Sequence, residues 1–175
     1  MFVATVNYQD PNAAKLFTDS LRETGFAVLT HHPIDPQLID SVYRDWQAFF
    51  ASEAKYQYRF KQGEEEGYIP IDVAEKAKGN DVIDIKEFYQ AYLRTALPQT
   101  IGPQSKILAN QLVALAQTLL TWVEQQTPPT IRYSEPLSAM IAESPRTLFR
   151  ILHYPPLTSA EARGAIRSAD HEDIN

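Results

Sequence analysis

LFRILHYPPLTSAEARGAIRSADHEDIN, residues 148–175, is the stretch that decides how the rest of the chain is read. RTLFRILHY (146–154) is rich in β-forming residues and stops at Pro155 and Pro156, which cannot extend a ladder, so it predicts a strand. LTSAEARG (157–164) predicts a loop, and residues 165–175 the start of a further strand. On a strand His171 and Asp173 share one face, because residues two apart point the same way. An imidazole nitrogen and a carboxylate oxygen there could meet one cation. They would be the local half of a 2-His-1-carboxylate arrangement, which holds Fe(II) and leaves positions open for other ligands. The pair alone is a weak signal. With 4 His among 175 residues, chance supplies about 0.2 His-x-Asp spacings, and a solvated polar terminus reads the same way.

Working back from that stretch, FVATV (2–6) reads as a strand. DPNAAKLFTDSLRETG (10–25) reads as a helix, with Asp10 as cap, Pro11 at the first position, Gly25 closing it, and Ala14, Phe17 and Leu21 as its apolar stripe. FAVLTHH (26–32) is again β-prone. DPQLIDSVYRDWQAFFAS (35–52) repeats the Asp-Pro opening, and Leu38, Ile39, Val42, Trp46, Phe49 and Phe50 recur at helical spacing. KYQYRF (55–60) is compatible with a strand or a helix end. QGEEEGYIP (62–70) reads as a loop leading into a short extended piece. DIKEFYQAYL (84–93) fits a strand or a helix. Residues 103–126 give the clearest helix, with Ile107, Leu108, Leu112, Leu115, Leu119, Trp122 and Val123 on one wide apolar face; Pro128 and Pro129 stop it. A short helix is predicted over 136–143. Helices dominate the first 145 residues in this reading, and strands gather late.

The totals bound what such a chain can do. Its 175 residues, 44% hydrophobic and 22% charged, suit one domain with its own core. A net charge of -6 lacks the basic face that phosphate neutralisation needs, which argues against nucleic acid as a partner. There is no cysteine, so neither disulfide nor thiolate metal site is available. The start MFVATVNYQD has no signal-peptide pattern, and the apolar run ILANQLVALAQTLLTWVEQQ (107–126) is too polar to span a bilayer. The expectation is a soluble, cytoplasmic protein that meets no membrane. Glu64, Glu65 and Glu66 read as a solvated loop. YQYRFK (56–61) interleaves aromatic and basic residues, and the acidic balance favours half-buried packing over strand binding. The phosphate-loop, G-x-S-x-G and H-E-x-x-H patterns are absent.

LFRILHYPPL, a loop, and RSADHEDIN in this order resemble the isopenicillin N synthase-like family of Fe(II)/2-oxoglutarate-dependent dioxygenases. In that family a strand ending in Tyr-Pro precedes the His-x-Asp strand at about this spacing. GFAVLTHHPIDPQLIDSVYRDWQAFFA (25–51) resembles the family's N-terminal strand-helix unit, and GYIP (67–70) and DIKEFYQ (84–90) its next two landmarks. The resemblance implies an α+β fold: a double-stranded β-helix (jelly-roll) core with flanking helices. Residues 1–145 would be the helical and mixed N-terminal region, and 146–175 the start of the catalytic core, within one domain overall. It implies His171 and Asp173 as two of three iron ligands. Tyr154 matches a tyrosine that hydrogen-bonds 2-oxoglutarate or substrate; a half-buried strand-end tyrosine is the plainer reading. The implied activity is oxidation or hydroxylation of a small organic molecule by dioxygen, with Fe(II) as cofactor and 2-oxoglutarate as cosubstrate.

Two departures follow from the same comparison. The family's second iron-binding histidine and its Arg-x-Ser pair would fall beyond Asn175, and His31, His32 and His153 do not match that motif. His31 and His32 are expected at a strand end, on a loop or at the surface. His153 is expected to point away from Tyr154. The chain is therefore expected to be a fragment that ends inside the core. HEDIN does not separate the 2-oxoglutarate enzymes from the isopenicillin synthase branch, in which the substrate supplies the electrons. The rival from another class is a non-catalytic interaction module on a dioxygenase-derived α+β scaffold, and a cupin-like metal enzyme is the third reading. Substrate and oligomeric state are not encoded in any motif found.

Overall fold

The computed structural model describes residues 2–61, 63–73, 85–142 and 144–156. The chain divides into two compact units, Met1–Ser41 with Pro103–Thr147, and Val42–Gly102 with Leu148–Asn175. Helices and strands are mixed throughout. Four of the five described strands precede residue 93, and three of those are only three residues long. The short strands over FVATV and FAVLTHH are legible from their β-prone residues, and β5 lies where RTLFRILHY predicts a strand.

In the first unit, β1 (Thr5–Asn7) and β2 (Val28–Thr30) pair in parallel, with Thr5 opposite Val28. Helix α1 (Ala13–Thr24) is the crossover between them. It begins later than Asp10 and Pro11 predict. The Asp10 carboxylate accepts the Asn12 amide at 2.7 Å and its carbonyl accepts Ala13 N–H at 2.9 Å, so Asp10 closes a turn just before the helix. The other end is as expected. Gly25 takes φ 77° and gives its N–H to the Leu21 carbonyl at 2.8 Å. Buried Ser20 ties the helix to both strands: its hydroxyl donates to the Phe26 carbonyl at 2.6 Å and accepts Ala4 N–H at 3.1 Å. Val6, Ala13 and Phe17 form the core here.

Helix α3 (Gln104–Gln126) covers the predicted span almost residue for residue. Trp122 packs on Tyr8 and Phe17, with ring centroids 5.1 and 5.9 Å away. Its apolar face is only partly covered: Leu108 is buried, while Ile107 and Leu112 are exposed. An open groove of about 500 Å³ runs between α1, β2 and α3, lined among others by Phe17, Leu21, Leu29, Leu115 and Leu119. Helix α4 (Leu137–Ile141) starts where the Glu124 carboxylate accepts Leu137 N–H at 2.9 Å.

Helix α2 (Pro36–Ala51) opens as predicted, with the Asp35 carboxylate accepting Gln37 N–H at 2.9 Å. Its second half supplies the core of the second unit. Trp46, Phe49 and Phe50 are buried there against Tyr68 and Tyr89, with centroid separations of 5.1 to 6.4 Å. Each such pair is worth about 0.5–1.5 kcal/mol beyond its burial. KYQYRF resolves as a 3-10 turn, Glu53–Tyr58, capped by the Ser52 hydroxyl. DIKEFYQAYL resolves as a strand, β4 (Glu87–Tyr92), lying between β3 (Gly67–Ile69) and β5 (Leu148–His153) in an antiparallel sheet. What settled it is alternation: Glu87, Tyr89 and Ala91 are buried and the residues between them are not. The loop predicted over 157–164 and the strand over 165–175 lie outside the described residues.

Candidate functional site

Tyr154 follows β5 directly and is half-buried. His171 and Asp173 lie outside the described residues. What is described around Tyr154 is the β4–β5 pair, whose two faces carry different chemistry. The register sets Glu87 opposite His153, Phe88 opposite Leu152 and Gln90 opposite Arg150. One face therefore holds Glu87, Tyr89, Ala91, Phe149, Ile151 and His153. The other holds Phe88, Gln90, Tyr92, Leu148, Arg150 and Leu152.

On the first face a carboxylate is buried and fully engaged. Glu87 is 4% exposed. Its Oε2 accepts the Lys55 ammonium at 2.9 Å and the Tyr68 hydroxyl, and its Oε1 accepts His153 Nδ1–H at 2.7 Å. The carboxylate has no hydrogen to give, which sets the donor role on Nδ1. Lys55 also donates to the Phe50 carbonyl at 2.8 Å, and the His153 ring stacks on Phe50 at 5.2 Å. One carboxylate thus joins the end of α2, β3, β4 and the last residue of β5. Burial pushes the Glu87 carboxyl up, but hydrogen bonds from Tyr68, His153 and Lys55, with the Lys55 charge, outweigh it and hold the group below its ordinary value. Tyr68 is pushed well above the usual phenol range by burial first and by the Glu87 carboxylate second. Burial pushes Tyr89 up to about 12, with Glu66 and Tyr58 adding to it. Both phenols stay neutral at ordinary pH, so the cluster is a fixed anchor.

The opposite face is open. Arg150 lies over the Phe88 ring, 5.1 Å from its centroid, and its Nε–H donates to the Gln90 side-chain carbonyl at 3.0 Å. The Gln90 amide donates in turn to the Glu65 carbonyl. The acidic run is more engaged than a solvated loop requires: the Glu65 carboxylate accepts the Tyr92 hydroxyl, and the Glu66 carboxylate accepts Tyr92 N–H at 2.6 Å. These contacts fasten the loop before β3 to the far end of β4.

His153 is the residue that reading by sequence passed over. It matches no metal motif, and its Glu87 partner lies 66 residues away. No local pattern marks such a pair; only the antiparallel register brings it together. His31 is exposed at a left-handed φ of 55°. His32 is half-buried on the groove of the first unit, with its Nδ1 unpartnered among the described residues. Among the described residues, no three His, Cys, Asp or Glu side chains form a metal-binding group, and no helix is long and apolar enough to cross a membrane.

Residues 4–111 match the family model described as non-haem dioxygenase in morphine synthesis, N-terminal. No curated protein matches the chain. Among solved structures, the chain is similar to a protein from Shewanella oneidensis assigned as an oxygenase: 44% identity, TM-score 0.87, covering 100% of this chain and 62% of that one. A protein from Caulobacter crescentus assigned to the 2OG-Fe(II) oxygenase family is 26% identical, with TM-score 0.74 and coverage of 99% and 61%. A full-length protein from Neurospora crassa, solved in complex with alpha-KG and thymine, is 18% identical at TM-score 0.67, covering 98% and 62%, a likeness of fold alone. The chain thus spans about three fifths of the length of the structures it matches.

Proposed function

The chain belongs to the non-haem dioxygenase family through that N-terminal region, and from this premise we propose that it serves an Fe(II)-dependent oxidation of a small organic molecule by dioxygen, with 2-oxoglutarate as cosubstrate. The match over residues 4–111 carries the reading, because it covers more than half the chain in one register. The likeness to the Caulobacter 2OG-Fe(II) oxygenase family protein supports both the metal and the cosubstrate. In the same reading β5 begins a double-stranded β-helix core over residues 146–175, residues 1–145 form the helical and mixed region that precedes it, and the protein works in the cytoplasm.

The donor set suits the metal. Imidazole nitrogen and carboxylate oxygen are the ligand types of non-haem Fe(II) sites, and the pair leaves positions open for other ligands. His171 and Asp173 would hold the iron, and Tyr154 would hydrogen-bond the carboxylate of the cosubstrate or the substrate. When bound, iron and 2-oxoglutarate supply the oxidising chemistry; the chain's own part is to bind, orient and exclude water. The Glu87 cluster serves that part by pinning the end of β5, one residue before Tyr154.

The test is anaerobic titration with Fe(II), or with Co(II) read by its visible absorption. His171→Ala and Asp173→Ala are each expected to weaken binding by at least about tenfold, since losing even an outer-shell partner costs that much. Metal binding unchanged in both variants would overturn the assignment and favour an interaction module. Fe(II)-dependent succinate release from 2-oxoglutarate tests the cosubstrate separately.

A further inference from the structure

We infer that Arg150 is a pre-set binding point for the carboxylate of the organic substrate. Along β5, the exposed residues are Leu148, Arg150 and Leu152, a guanidinium between two leucines that are 39% and 45% exposed. Arg150 lies over the Phe88 ring and is aimed by Gln90, which is itself tied to the Glu65 carbonyl. Among the described residues only its Nε–H is used. The four N–H bonds on the two terminal nitrogens have no partner among the described residues.

Other cations of the described residues are held in ion pairs. Lys15 and Arg22 share Asp19, Lys55 pairs with Glu87, and Arg59 pairs with Asp72. Among the described residues, Glu65 and Glu66 are engaged by Tyr92, and Glu87 by the cluster on the other face. A planar fork matches a carboxylate bidentately. Holding it in place before binding removes much of the ordering cost. The flanking leucines favour a ligand with a compact apolar body beside its carboxylate. The strand's alternation sets Tyr154 on the same side as Leu152. As a substrate site this rests on the oxidation reading; as a carboxylate site it does not.

The probe is 3-phenylpropionate, titrated into the metal-free chain and its Arg150 variants while the Gln90 side-chain amide and Leu152 backbone amide resonances are followed by NMR. A saturable shift is expected, with none from the neutral amide 3-phenylpropionamide at equal concentration. Arg150→Lys should weaken binding about fivefold or more by losing the fork, and Arg150→Gln should abolish it while leaving thermal unfolding unchanged, since the side chain is exposed. His171→Ala should leave the titration as it is, which separates this outcome from failure of the iron assignment. Equal response to acid and amide, or unchanged binding in Arg150→Gln, would refute the site. A tighter response to 2-oxoglutarate than to 3-phenylpropionate would reassign it from substrate to cosubstrate and overturn the inference as stated.

Discussion

Glu87 illustrates what a single buried charge demands. Its two oxygens take three donors from three different stretches of chain, and its ion partner Lys55 is itself only 13% exposed. Removing one side of such a pair leaves the other charge buried without compensation. Glu87→Gln is therefore expected to cost about 3 kcal/mol in urea unfolding, more than an exposed carboxylate would. The pH dependence has a definite sign. The folded carboxyl titrates below its ordinary value of 4.5, so its stabilisation is complete above that value in the unfolded chain. It is lost as pH falls through the lower, folded value. Wild-type protein should lose stability over that acid range, and the Glu87→Gln variant should lack this component. Equal acid sensitivity in the two would show that the cluster contributes nothing.

Among the elements, β3 shows how little sequence can announce a strand. It has three residues, and its place depends on Gly67, whose φ of 122° only glycine adopts readily. A Cβ there would sit 2.8 Å from the Tyr58 carbonyl oxygen and 3.0 Å from Phe60 Cα, both backbone atoms with little freedom to move. Gly67→Ala is expected to destabilise by more than about 1 kcal/mol, read as a lower urea midpoint. A neutral result would mean that the Tyr58–Phe60 backbone beside Gly67 relaxes freely. Helices were easier. Asp35-Pro36 and Gly25 act through groups within four residues of themselves, so their signals survive in the linear sequence. Asp10-Pro11 carries the same letters and still fails as a cap, because the Asp10 carboxylate is used by a turn that closes first.

At the scale of the whole molecule, each compact unit has one of the two tryptophans, Trp122 in the first and Trp46 in the second. They can report separately on unfolding. Phe49 lies against Trp46, Phe50 and Tyr89, and Phe49→Ala should cost about 3–5 kcal/mol. In single-tryptophan variants, Trp122→Phe and Trp46→Phe, the added Phe49→Ala change should lower the midpoint reported by Trp46 more than that reported by Trp122. Equal shifts would show that the two units unfold as one.

By itself the sequence determined the long helices, because helical periodicity and end residues are local signals, and it pointed to the family through landmarks in order, from which His171 and Asp173 are proposed for iron. Only the tertiary structure decided between strand and helix for residues 87–92, turned two of the three clustered glutamates into anchors, and joined Glu87 to His153 and Arg150 to Gln90. Those partners lie 25 to 66 residues apart. Contacts over such separations depend on strand register, and register is set by which faces can be buried together, a property no single stretch of chain contains.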